Sequence, residues 1–109
     1  MLFELSKENF NTYVLDSKTK VLIDFYAPWC KGCESLEVIL EDISDDFYGD
    51  LKVYKFNVDL DDSIPDQFDI FSLPTIILFE NGILKDSLTG LQSYKTIKEW
   101  LITCMTSSS

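Results

Sequence analysis

Two cysteines separated by two residues, Cys30-Lys31-Gly32-Cys33, are the part of this chain best equipped for chemistry. A thiol pair at this spacing suits a reversible dithiol/disulfide couple, and it can also serve as half of a zinc site. The flanking elements decide how the pair is held. Upstream, Val21-Leu22-Ile23-Asp24-Phe25-Tyr26-Ala27 is an apolar run rich in β-branched and aromatic residues, and it reads as a buried strand. Downstream, Leu36, Ile39, Leu40 and Ile43 recur at helical spacing. The cysteines therefore fall where a strand ends and a helix begins. Residues three apart on a helix share a face, so Cys30 and Cys33 can reach each other across the first turn. Unpaired N–H groups and the macrodipole at a helix start favour a thiolate over a thiol.

Composition removes most competing chemistries. The chain has no histidine and no arginine, so imidazole acid/base catalysis, the commonest zinc ligand and bidentate guanidinium recognition are all lacking. A zinc site would need two ligands beyond the pair, and only Cys104 and carboxylates remain, so no metal is expected. A net charge of −10 argues against nucleic acid and anionic membrane as partners, since both require a basic surface. With 109 residues and 46% hydrophobic content, the chain is expected to form one domain over 1–109. No apolar run approaches the roughly 18–20 residues that span a bilayer. Met1-Leu2-Phe3-Glu4-Leu5 has neither a basic start nor a long apolar stretch, which points to the cytoplasm.

The remaining elements follow in order. Leu2–Leu5 reads as a short edge strand, and Ser6 as the N-cap of a helix that buries Phe10, Val14 and Tyr13. Asp45-Asp46 and Gly49 mark the end of the cysteine helix. Leu51 to Val58 alternates as a strand, and Asp59 to Pro65 opens a short helical piece in which Asp61 or Asp62 is a cap. Pro74 precedes the apolar run Thr75–Phe79. Asn81-Gly82 then predicts an antiparallel hairpin with Ile83–Thr89, and Gly90 breaks the return strand. Ile97, Trp100, Leu101 and Cys104 share one face of a final helix, where Cys104 reads as a small core residue, and the tail Thr106–Ser109 is expected to fray. The predicted fold class is α/β, with a central mixed five-stranded sheet flanked by four helices.

These residues resemble the thioredoxin family over nearly the whole chain. The similarity is carried by Val21-Leu22-Ile23-Asp24-Phe25, Ala27-Pro28-Trp29-Cys30-x-x-Cys33, Lys55, Asn57-Val58-Asp59, Leu73-Pro74-Thr75, Asn81-Gly82 and Thr89-Gly90. The resemblance implies the thioredoxin fold, a disulfide reductase recharged by a thioredoxin-reductase-type donor, and a cis bond at Leu73-Pro74. Thioredoxins typically carry Gly-Pro between the cysteines, where this chain has Lys31-Gly32. They also usually kink the second helix with a proline, at a position that corresponds here to Val38.

Each role has a plainer reading beside it. Cys30, at the helix start and the more exposed of the pair, is the expected nucleophile, with Cys33 resolving the mixed disulfide. Asp24, charged in an apolar strand, reads as a buried carboxylate with a raised pKa that exchanges a proton with Cys33; the resemblance supports this. Its structural alternative is an ion pair with Lys55 of the neighbouring strand, and the two can coexist. Pro74, if cis, presents the Leu73 backbone to an extended substrate; otherwise it merely starts a strand. Trp29, Tyr26, Phe71, Leu73 and Gly90 are expected to rim the dithiol. Lys31 favours the Cys30 thiolate, which makes the disulfide more oxidising, and Gly32 loosens the helix start.

The expected activity is reduction of disulfide-containing proteins by a monomer, with no cofactor beyond the cysteine pair itself. A disulfide isomerase or oxidase is the alternative within the class. A redox-silent binding module on the same fold is the alternative outside it.

Overall fold

The computed structural model of the chain describes residues 2–106. Five strands form one sheet: β1 (Phe3–Leu5), β2 (Lys20–Tyr26), β3 (Leu51–Asn57), β4 (Thr75–Glu80) and β5 (Ile83–Thr89). Their spatial order is β1-β3-β2-β4-β5. The first three pair in parallel, while β4 runs antiparallel to β2 and β5 antiparallel to β4. The helices are α1 (Lys7–Phe10), α2 (Lys31–Asp46), α3 (Ser63–Gln67) and α4 (Tyr94–Thr106). This is the mixed sheet with four helices that the sequence predicts.

Alternation along the strands builds two cores. Leu22, Val53, Ile76 and Leu78 pack with Leu36 and Leu40 of α2 and Ile97 and Leu101 of α4. On the opposite face Val21, Ile23, Phe25 and Phe56 pack with Phe10 and Val14, and with Ile64 of α3. Strand β2 is buried on both faces because it lies at the centre of the sheet. The buried face of α2 follows the spacing Cys33, Leu36, Leu40, Ile43, which ties the second cysteine to the same stripe that anchors the helix.

Local signals fall where the sequence places them, with several corrections. Ser6 caps α1, and its partner is Asn9, whose side chain reaches back to the Ser6 N–H at 2.8 Å. From Asn11 to Leu15 the helix widens to a π-helical turn, closed by the Asp16 N–H on the Asn11 carbonyl at 2.8 Å. Tyr13 is not buried as expected: it sits at the surface, stacked edge-on against Phe3 and tilted against Tyr54. Asn81 and Gly82 both adopt positive φ in the β4–β5 turn. Gly82 is also pressed against the Leu15 carbonyl, where a Cβ has no room. Asp62 is the N-cap of α3, but it is the carboxylate of Asp61, one residue earlier, that accepts the Ile64 N–H at 3.0 Å, which with the Ser63 hydroxyl holds the Asp61 carboxyl below the usual range. Thr106, expected to fray, is the last residue of α4 and donates its hydroxyl to the Ile102 carbonyl at 2.7 Å. The rest of that expected tail, 107–109, lies outside the described residues.

Candidate active site

Three chain reversals meet at one end of the sheet. Strand β2 runs out through Ala27 and Pro28 into a turn closed by the Cys30 N–H on the Ala27 carbonyl at 3.1 Å. Cys30 occupies the N-cap of α2, with extended backbone at φ −93° and ψ 112°. Cys33 is the third residue of the helix. The two form a disulfide with a Cα–Cα distance of 5.3 Å, so the structure is the oxidised form. Cys30 is the more exposed of the two, but only at 9% against 3%. Helix α2 runs as one element through Val38, which faces solvent.

The other two reversals press against this turn. The Leu73-Pro74 bond is cis, as the resemblance implies. The Gly90 N–H donates to the Pro74 carbonyl at 2.7 Å, fixing the end of β5 to the start of β4. A Cβ on Gly32 would lie 3.5 Å from Pro74 Cδ and 3.9 Å from Leu91 Cβ, so the Lys31-Gly32 step is packed against both loops. Leu73, Tyr26 and Val58 pack around the cluster of Ala27, Cys30 and Cys33. Trp29 is 70% exposed, with its indole N–H donating to both carboxylate oxygens of Asp59 at 3.2 and 3.1 Å. Phe71 is 86% exposed beside the Leu73-Pro74 segment. Lys31 is exposed directly after Cys30.

A row of ionisable groups crosses three strands of the sheet. In the parallel register Glu4 of β1 faces Lys55 of β3, and Lys55 faces Asp24 of β2. Opposed residues of parallel strands point to the same side, so all three share the face that α2 covers. Asp24 is fully buried, and neither of its oxygens has a hydrogen-bond partner among the described residues. Burial, then the Glu37 charge, raises its pKa from the ordinary 3.8 to about 7, with Lys55 opposing the shift and Glu4 adding to it.

The ion pair expected between Asp24 and Lys55 is not the one formed. Lys55 Nζ binds both carboxylate oxygens of Glu37 at 3.2 Å each. Its ammonium also stands 5.4 Å above the Tyr26 ring. Tyr26 is half-buried against the cluster of Ala27, Cys30 and Cys33, and its hydroxyl donates to Glu4 at 2.6 and 2.8 Å. Burial and that bond hold the phenol above its usual pKa. A cavity of about 240 Å³ opens beside Cys33, lined by Tyr26, Ala27, Pro28, Glu34 and Glu37.

Glu37, Glu4 and Leu91 lie at this site without a sequence expectation, and Asp59 enters the sequence reading only through the resemblance, with no role attached. One signal existed for Glu37: it follows Cys33 by four residues, which puts it on the same side of the helix. Among the described residues no group of three or more histidine, cysteine or acidic side chains is placed to hold a metal ion. Cys104 is buried in the α2–α4 core with its sulfur 3.8 Å from Asp86, and burial pushes its thiol pKa up.

A family model described as Thioredoxin matches residues 1–103. The chain is 40% identical to the thioredoxin of Rickettsia felis over 101 residues, covering 93% of this chain and 96% of that one. It is 39% identical over 88 residues to the thioredoxin of Chlorobaculum thiosulfatiphilum, covering 81% of this chain and 82% of the other. It is also 37% identical over 95 residues to the chloroplastic thioredoxin M4 of Arabidopsis thaliana, covering 87% of this chain and 49% of the relative.

Proposed function

The chain belongs to the thioredoxin family, and we propose that Cys30 attacks, Cys33 resolves and Asp24 carries the proton in its reaction. It is a thiol–disulfide oxidoreductase of the protein-disulfide reductase type. The observation that carries the assignment is the Cys30–Cys33 disulfide closed across the first turn of α2, at the end of the strand that buries a carboxyl with no hydrogen-bond partner among the described residues.

In the reduced chain the helix start and Lys31 favour the Cys30 thiolate. That thiolate attacks one sulfur of the substrate disulfide. A Cys30–substrate bond forms, the substrate S–S bond breaks, and the other substrate sulfur leaves as a thiolate. Asp24 then takes the Cys33 proton, directly or through water entering the cavity beside it. The Cys33 thiolate attacks the Cys30 sulfur, forming the intramolecular disulfide and releasing the second substrate thiolate, which receives the proton back. Two electrons have passed from the dithiol to the substrate.

The cysteine pair carries both electrons, so the reading requires no other cofactor and no metal. Docking falls to Trp29, Phe71, Leu73 and the Pro74–Gly90 junction, with an extended substrate segment alongside Leu73. Substrates are disulfide-containing proteins, and a thioredoxin-reductase-type donor recharges the pair. The net charge of −10 supports a carrier that avoids nucleic acid and anionic membrane. No helix among the described residues is long and apolar enough to cross a membrane. A monomer in the cytoplasm fits a reductase, because that compartment keeps thiols reduced. The test is single-turnover reduction of a protein disulfide by the wild type and Asp24→Asn. A slower resolution step in the variant is expected, and equal rates across pH 5–9 would remove Asp24 from the mechanism.

A further inference from the structure

We propose that Glu37 is a positioning residue for disulfide exchange: by drawing the Lys55 ammonium onto its own carboxylate, it leaves Asp24 without a directly paired cation and so able to hold a proton. This rests on the reading of Asp24 as the proton carrier.

Three carboxylates and one ammonium meet on the α2 side of the sheet. Glu4, Lys55 and Asp24 stand in a row across β1, β3 and β2, and Glu37 comes down from α2. Lys55 lies opposite Asp24 in the register, so Asp24 is the partner its strand position offers. The side chain goes elsewhere. Its Nζ meets both oxygens of Glu37, and the pair is largely shielded, with side chains 14% and 26% exposed. An ion pair so placed is screened far less by salt than one at the surface.

The remaining groups complete the allocation. Glu4 accepts the Tyr26 hydroxyl, while the Tyr26 ring lies under the Lys55 ammonium and limits where it can move. Glu4 thus has Tyr26 and Glu37 has Lys55. Asp24 alone, the most deeply buried of the three, has neither a hydrogen bond nor an ion-pair partner among the described residues. A buried carboxyl in that position favours its neutral form, and a cation moved onto it would favour the anion. Glu37 also lines the cavity that reaches Cys33, along with Tyr26 and Glu34, so its charge acts where the Cys33 proton must leave. Among the described residues the charged groups that act on Asp24 are Glu37 from α2, Lys55 from β3 and Glu4 from β1.

The experiment follows the Asp24 carboxyl carbon by NMR through a pH titration of the oxidised protein, in the wild type, Glu37→Gln and Glu37→Ala. The titration midpoint is expected to fall by about one pH unit in both variants. The pH at which protein-disulfide reduction accelerates should move in the same direction. A midpoint that stays in place overturns the proposal. Repeating Glu37→Gln in a Lys55→Gln background separates the two routes by which Glu37 can act. The displacement should shrink to less than half there, and an equal displacement would mean that Glu37 acts by its own charge alone. The Asp24→Asn kinetics judge the underlying reading independently, because the NMR midpoint reports on Glu37 whether or not Asp24 carries the proton.

Discussion

Asp24 and Lys55 face each other across the β2–β3 ladder but do not pair; the Lys55 ammonium is held at 3.2 Å by both oxygens of Glu37. A charge-capable group is thereby kept in the apolar centre of the sheet without its natural counter-ion. A folded protein tolerates this only if the group is neutral for part of the working pH range or serves the chemistry above it.

Stability should therefore depend on pH through Asp24. Its folded-state pKa of about 7 stands above the ordinary 3.8, so the folded chain binds more protons between those values. Stability is fully present below about pH 4 and is lost as pH rises through 7. Asp24→Asn removes that loss. The variant is expected to be more stable than wild type at pH 8, by an amount on the order of 4 kcal/mol at most. Urea unfolding at pH 5 and pH 8 measures it. An advantage that grows in acid would mean that Asp24 is charged and paired in the folded state.

The order of attack can be read from trapping. Cys33→Ser keeps the attacking thiol and loses the resolving one, so mixed disulfides with protein substrates should accumulate on Cys30. Cys30→Ser should capture nothing, and both variants should fall to the uncatalysed background in multiple turnover. Non-reducing electrophoresis and mass spectrometry distinguish them. Capture by Cys30→Ser would reverse the assigned roles.

Replacing Lys31-Gly32 by Gly-Pro should make the pair more reducing. The lysine charge beside Cys30 favours the thiolate, and hence the reduced form. Loss of that charge is expected to lower the potential by about 30 mV, or about 1.4 kcal/mol for two electrons. Proline at position 32 costs no helical hydrogen bond, since its N–H lies among the first four of α2. Equilibration in thiol buffers with counting of alkylated cysteines gives the value; an unchanged or higher potential would refute the effect of the lysine.

Phe71 separates docking from folding. Being 86% exposed, its truncation to Ala should change stability by less than about 0.5 kcal/mol. The KM for a folded protein disulfide should rise several-fold while reduction of a small aromatic disulfide stays the same. Equal effects on both substrates would place Phe71 outside the docking surface.

Much of this is legible in the sequence. Strand β2, its following helix and the cysteine turn are written in unbroken apolar and helical periods, and Asn81-Gly82 announces its own hairpin. What escaped depended on three-dimensional partner choice. Lys55 was assigned to Asp24 because strand neighbours are visible in a sequence, whereas the approach of Glu37 depends on how α2 lies over the sheet. The π-helical turn at Asn11–Leu15 leaves the buried positions Phe10 and Val14 four apart, a spacing an ordinary helix also has, so its widening carries no periodic signal. The hydroxyl bond of Tyr26 to Glu4 escapes for the same reason, because it joins residues twenty-two apart in the chain.

With no histidine anywhere in the chain, a change of acidity near neutrality has no imidazole on which to act. It acts on the buried carboxyl of Asp24 in the central strand. The protein therefore reads the proton concentration of its surroundings at the place where it handles electrons. A drift in cellular pH should alter how it exchanges thiols before it alters the charge pattern on the surface that partners meet.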